Sequence, residues 1–425
     1  MNLPMSGRVV IVDDEFREAL PLIRTLSQRR VAVTFFRGRL EDLPSEPFKD
    51  VRIVFLDIVL EGLEGADDKT KISALMNVVK KIISKENGPF VLAIWTKHLE
   101  LTEKLQNALK EEEFYTLTVN LEKDTFFEKK EGSDEWTFKE DKKDKLQRII
   151  EEKIRAIDIF KVFINWENLI HDASSMTVNE ISKFSEFDDH WNDKMKRIFF
   201  SFAKAQAGRL IENMEDREKI TSALYTFNQI FSDIFERDIQ QFIIEGISLE
   251  DGDIGEEVKV KINSRILIDT APRNELYPGN VYKDQNADVT FIKEILNENR
   301  EDVLGSIAEN SISIFVEVTP ICDFVQRKAK MNRVIKGVLI PDSAGTDTGI
   351  WRRIKKHALF LYVSPTIHYE GKDYRMILDF RYFTSVKADE LKGKNVLFRI
   401  RKELLSDIQI KLSSHINRTG VLYLE

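Results

Sequence analysis

Five residues of this 425-residue chain have types and spacing that can do chemistry together: Asp13, Asp14, Asp57, Thr96 and Lys123. Each stands at or just past the end of a short apolar run. Val9 to Val12 precedes the aspartate pair, Ile53 to Leu56 precedes Asp57, Phe90 to Trp95 precedes Thr96, and Tyr115 to Leu121 leads to Lys123. Runs of this length, bounded by polar residues, read as strands buried on both faces. In a parallel α/β sheet the carboxyl ends of the strands share one edge, and ligands bind there. Three carboxylates gathered at that edge repel one another, and a hard divalent cation relieves the repulsion. Mg²⁺ fits, because it takes one or two carboxylates together with water and phosphoryl oxygens. The hydroxyl of Thr96 and the ammonium of Lys123 are suited to holding the oxygens of a phosphoryl group on Asp57. An aspartate pair after a strand is common, so no single motif here is specific. Five positions in order, each at a strand end, form a specific pattern.

The elements that must position these residues follow from periodicity. Phe16, Leu20 and Ile23 recur at helical spacing after the first strand, and Val31 to Phe36 reads as a second strand. Ile72, Leu75, Val79 and Ile82 mark one later helix, and Leu101, Leu105 and Ala108 another. Strands alternating with helices imply a doubly wound, five-stranded parallel sheet of the flavodoxin-like α/β class over residues 1–157. The charged stretch from Glu122 to Lys145 reads as an inserted loop or hairpin. Leu146, Ile149, Ile150 and Ile154 then start a helix that continues past the sheet.

This set resembles the receiver domains of response regulators, in Asp13-Asp14-Glu15 after Val12, Asp57 after Phe55-Leu56, Thr96 after Trp95, and Lys123 after Leu121-Glu122. The likeness covers about a third of the chain. It implies that Asp57 accepts a phosphoryl group from a histidine kinase and that Asp13, Asp14 and Asp57 hold Mg²⁺. It also implies that Thr96 turns toward the phosphoryl group and that Lys123 pairs with it. The alternative is a degenerate receiver that keeps the fold and never takes phosphate. The sequence departs from the family at four places. Asp124 replaces a proline, Asn120 stands where a switching aromatic is usual, Lys97 replaces a small residue, and residues 61–71 lengthen the loop after Asp57. Val59 is apolar and unsuited to guiding an attacking water, so the acyl phosphate is expected to be long-lived.

Residues 158–245 read as helical throughout, with Phe160, Phe163 and Ile164, then Trp191, Met195 and Phe199, then Phe227, Phe231 and Phe235 at helical spacing. Such aromatic stripes are more often core or partner-facing surface than cofactor sites. Glu245 to Glu257 reads as an acidic linker, since its Asp251-Gly252-Asp253 lacks the ligand spacing of a calcium loop. Residues 246–425 then read as a strand-rich α+β domain, a small barrel closed by an amphipathic helix from Val396 to Ile416. Its most pointed feature is Glu317-Val318-Thr319-Pro320-Ile321-Cys322-Asp323. The sharp reading is a nucleophilic or ligand-binding Cys322 with Asp323, served by His357 or His368. The bland reading, which is favoured, is a buried cysteine at a strand-to-loop corner with Asp323 capping the next turn.

Composition narrows the function classes. The formal net charge is −8, which argues weakly against gripping nucleic acid. One cysteine excludes an internal disulfide and fits a cytoplasmic address. No apolar stretch reaches the roughly 18 residues that span a bilayer, and Met1 to Val12 reads as a strand rather than a signal peptide. The expectation is a non-enzymatic, Mg²⁺-dependent phosphorelay protein whose partners are a histidine kinase and a second effector or receiver protein, with a homodimer allowed. It resembles the large receiver component of Detocs-type two-component systems that guard bacteria against phage, where it would act as a phosphate sink. The rivals are a receiver-gated enzyme near Cys322 and Asp323, and a DNA-binding regulator.

Overall fold

The computed structural model describes residues 8–417 except 59, 61–64, 96–98, 130–135, several positions between 140 and 157, 243–246, 273–275, 285–288, 297, 326–329, 348, 352–353 and 355–359. The chain divides into two compact units, residues 1–196 with 227–249, and residues 197–226 with 250–425.

The first unit is built on strands β1 (Arg8–Val12), β2 (Val33–Phe36), β3 (Val51–Asp57), β4 (Phe90–Trp95) and β5 (Thr116–Leu121). All neighbours pair in parallel, in the order β2-β1-β3-β4-β5. This is the doubly wound order 2-1-3-4-5. Every residue of β3 is buried, whereas the edge strands β2 and β5 are largely half-buried. The continuous apolar run of β3 thus reflects its central place. Helices α1 (Phe16–Gln28), α2 (Asp68–Ile82) and α3 (Leu99–Glu111) cover the sheet. Val54, Leu56 and Leu92 pack toward α2 and α3, while Val9, Ile11 and Phe55 pack toward α1.

The link from β2 to β3 carries no helix. Residues 37–50 include Pro44 and Pro47, which lack the donors a helix needs, and few apolar residues at helical spacing. Leu43 and Phe48 cover the sheet there instead, and Phe48 bridges to Ile83. After β5 a four-residue helix α4 (Lys123–Phe126) leads into a hairpin of β6 (Phe127–Lys129) and β7 (Trp136–Phe138). The charged insertion therefore contains a hairpin. Its Phe127 and Phe138 rings meet edge to face at 4.7 Å and join the core beneath α1. Helix α5 (Asp158–Ser182) adds Phe160 and Ile164 to the same core. Helices α6 (Trp191–Ala207) and α7 (Asp216–Gln241) complete the helical middle region.

Past residue 250 the second unit runs through α8 (Glu256–Leu267), which ends on the two-residue strand β8 (Ile268–Asp269). It continues through β9 (Asn280–Lys283), helices α9 (Val289–Leu296) and α10 (Glu301–Asn310), β10 (Ile312–Glu317), the short helix α11 (Ile321–Val325) and β11 (Asn332–Pro341). Strands β12 (Leu361–Val363), β13 (Ile367–Tyr369), β14 (Lys372–Val386) and β15 (Val396–Ile400) follow, then α12 (Lys402–Ile416). The pairing path is β12-β14-β11-β10-β9-β15-β8, antiparallel throughout, with β13 on β14. The path ends on two different edge strands, so the pairing makes a half-barrel.

Leu404, Leu405, Ile408 and Leu412 of α12 seal one core of this unit against Val281, Val316 and Phe398. The expected helix from Val396 is corrected at its start: Val396–Ile400 is a strand and the helix begins at Lys402. Val396, Leu397 and Ile400 share helical spacing with the residues that follow, so periodicity alone could not separate the two. Gly279 sits where only glycine fits. Its φ is +91°, and a Cβ there would lie 2.6 Å from the Ile400 carbonyl oxygen.

Candidate functional site

The carboxyl edge of the parallel sheet gathers four of the residues that the sequence singles out. Asp13 follows β1, with its backbone N–H donating to the Phe36 carbonyl and its Oδ1 accepting from the Glu15 N–H at 3.0 Å. Asp57 closes β3, and Lys123 opens α4 directly after β5. Asp13, Asp14 and Asp57 each offer a carboxylate oxygen within 4.8 Å of the others. Asp13 and Asp57 are buried, and Asp14 is half-buried.

Lys123 holds this cluster together. Its Nζ lies 2.8 Å from Asp13 Oδ2, 2.5 Å from Asp57 Oδ2 and 3.0 Å from Glu18 Oε2. Glu18, in the first turn of α1, is absent from the set read from the sequence. A signal for it existed, since it falls in the first turn of the helix expected to leave the same edge just after Asp13 and Asp14. Thr96, Lys97 and Val59 lie outside the described residues, as does the side chain of Asp124. Asn120 is exposed near the end of β5.

The electrostatics follow from burial. Desolvation lifts Asp13 to about 6; Lys123 works against that rise and Asp57 adds to it. Asp14 is also raised, first by burial and then by Asp57. Burial would lower the Lys123 ammonium, but Asp13 and Asp57 outweigh it and hold the ammonium above its ordinary value. Four carboxylates face one ammonium, so the site is short of positive charge. Three hard oxygen donors in reach of one another suit Mg²⁺, and Asp13, Asp14 and Asp57 are the residues that would hold it. The arrangement suits coordination of a cation beside a nucleophilic carboxylate and charge pairing by Lys123.

In the second unit Cys322 and Asp323 are neighbours in α11, with Cys322 Sγ 3.9 Å from Asp323 Oδ1. Cys322 is exposed, which corrects the expectation of a buried cysteine. The reason is local: α11 is a single short turn, and Phe324 is the residue that packs, edge to face with Tyr277 at 5.3 Å. His357 lies outside the described residues. His368 is engaged in the β13–β14 hairpin, its Nδ1 2.7 Å from Asp373 Oδ1. The motif's buried polar residues are Glu317 and Thr319, both fully enclosed. Glu317 Oε1 accepts from Asn332 Nδ2 at 3.2 Å and from the Thr319 N–H at 3.4 Å, its Oε2 has no partner among the described residues, and burial pushes its carboxyl up to about 7.

No protein-family model matches the sequence, and no curated protein is significantly similar to it. Among solved structures, the adenylate cyclase from Rhodopirellula baltica aligns with 37% of this chain and 96% of its own, at 18% identity and a TM-score of 0.21. A likeness at that level carries no argument about fold or activity. What the fold and site define is a receiver-like, doubly wound domain with an acidic cluster at its ligand-binding edge. Among the described residues no helix is long and apolar enough to cross a membrane.

Proposed function

We propose that residues 1–157 are a phosphate-accepting receiver domain of a two-component system, and that Asp57 takes a phosphoryl group from a histidine kinase. The observation that carries this reading is the meeting of Asp13, Asp14, Asp57 and Lys123 at the carboxyl edge of a 2-1-3-4-5 sheet. An Asp57 carboxylate oxygen attacks the phosphorus of a phosphohistidine. The P–N bond breaks, the imidazole leaves with the bonding pair, and a mixed anhydride forms on Asp57. Mg²⁺ bound by Asp13, Asp14 and Asp57 would supply neutralising charge. Lys123, already against Asp57, would pair with a phosphoryl oxygen.

The protein is a signalling component rather than an enzyme in this reading, and its partners are the kinase and a second effector or receiver. Asn120 supports storage over conventional transmission, because β5 lacks the aromatic lever expected there. A chain that holds phosphoryl groups without an effector of its own would act as a phosphate sink, the role that the Detocs resemblance suggests in defence against phage. Incubation with a small phosphodonor and Mg²⁺, followed by intact-mass measurement, tests the reading. One phosphoryl group is expected on the native chain and none on Asp57→Asn; no uptake by the native chain contradicts it.

A further inference from the structure

Lys123 donates toward three carboxylates, and the third belongs to α1. We propose that Glu18 is a positioning residue of the phosphoacceptor site, acting as a brake on phosphoryl uptake and as a support for divalent-cation binding. The proposal rests on the phosphoacceptor reading of Asp57.

A lysine ammonium has three N–H donors and no acceptor. Asp13 Oδ2, Asp57 Oδ2 and Glu18 Oε2 stand at 2.8, 2.5 and 3.0 Å from Lys123 Nζ, one acceptor for each donor. The ammonium is therefore saturated before any phosphoryl group arrives. Glu18 is held from a fixed base. Its backbone N–H donates to the Glu15 carbonyl at 2.9 Å, and Ala19, Leu22 and Leu26 of the same helix are buried against the sheet. Its side chain, 30% exposed, reaches the ammonium from the solvent side.

Two consequences have opposite signs. A phosphodonor is an anion, and Glu18 adds a negative charge where it must approach. Glu18 also keeps one hydrogen of Lys123 from the incoming phosphoryl oxygens, so both effects slow uptake. For a divalent cation the same charge is attractive. Loss of Glu18 should thus hasten phosphorylation and weaken Mg²⁺ binding, a pairing that simple damage to the site would not produce.

The test compares the full-length native chain with Glu18→Gln, which keeps an acceptor oxygen and removes the charge, and with Glu18→Asp, which keeps the charge one methylene short. Mg²⁺ affinity is measured by calorimetry without phosphodonor, and uptake from acetyl phosphate is followed by intact mass at saturating Mg²⁺. Glu18→Gln should bind Mg²⁺ about three- to tenfold more weakly and take up phosphate faster by a similar factor, the range set by a charged hydrogen bond at a partly exposed position. Glu18→Asp should keep most of the Mg²⁺ affinity and still label faster than the native chain. Unchanged Mg²⁺ affinity in Glu18→Gln, or uptake no faster than native, overturns the role of Glu18 alone. A native chain that takes up no phosphate overturns the phosphoacceptor reading, and the brake with it.

Discussion

Arg52, at the start of β3, grips Glu167 of α5 through two guanidinium nitrogens, while Asp57 closes the same strand at its other end. The Nε bond is 2.7 Å, and Arg52 is buried and also donates from NH1 to the Val51 and Asn87 carbonyls at 2.9 and 2.8 Å. Helix α5 is thus fastened to the strand that ends at Asp57. Glu167 remains 26% exposed at its side chain, so the pair is partly screened. Glu167→Ala should lower the stability of the first unit by about 1–3 kcal/mol, less than a fully buried pair would lose. Arg52→Ala should cost more, because two backbone carbonyls also lose their donor. Urea unfolding of both single variants and the double variant measures the coupling, and additive losses would remove the clamp from the account.

Lys123 is the one cation among the described contacts of the acidic cluster, so its removal leaves the carboxylates to repel one another. Lys123→Met should melt earlier than the native chain in the presence of chelator and recover when Mg²⁺ is added. Binding to the folded state alone stabilises by mass action, about 2.7 kcal/mol at a hundredfold excess over Kd. The Mg²⁺-dependent rise in Tm should therefore be larger in Lys123→Met than in the native chain. Equal rises in both would mean that Lys123 does not compensate the cluster.

Glu317 should make the second unit less stable as pH rises. Its folded pKa is about 7, above the ordinary carboxyl value of 4.5, so between those values the folded state holds more protons than the unfolded. The proton-linked stability is complete below about pH 4.5, falls as pH climbs, and is gone above about pH 7, a loss of about 3 kcal/mol. Asp13 contributes in the same direction up to about pH 6, so the native chain alone does not isolate Glu317. Glu317→Gln does, because its amide can never ionise. Denaturant midpoints at pH 5 and pH 8 should lie closer together in the variant, and an unchanged gap would show that Glu317 is ionised at no cost.

Cys322 should react with a maleimide in the native chain without denaturant, since its thiol is exposed beside Asp323. Phosphate uptake at Asp57 should survive that modification. Labelling only after unfolding would contradict the exposed position of the thiol.

The sheet was legible because β1, β3 and β4 are central strands, and burial on both faces leaves continuous apolar runs that cannot be mistaken for polar loops. Asp13 and Asp57 were legible for a related reason, as each is the first polar group after such a run, while Lys123 was marked by its place just past the last strand, after Glu122. Glu18 was harder, because its role depends on the angle at which α1 leaves the edge and on the reach of a flexible side chain. The helix-free link over residues 37–50 hides in the same way, since Leu43 and Phe48 cover the sheet without any period. In the second unit the motif around Cys322 joins an exposed thiol to an enclosed carboxyl at Glu317. Chemistry-bearing residue type marked the thiol, while burial, which depends on strand pairing far along the chain, selected Glu317.

The central claim is that Asp57 carries the phosphoryl group, and reductive trapping tests it most directly. Borohydride converts an aspartyl phosphate to homoserine, which peptide mass spectrometry locates. After incubation with acetyl phosphate and Mg²⁺, the account predicts homoserine at position 57 alone, with none in chain treated without phosphodonor. Homoserine at position 13 or 14 in place of 57, or at no aspartate while the intact chain gains phosphate, would contradict it.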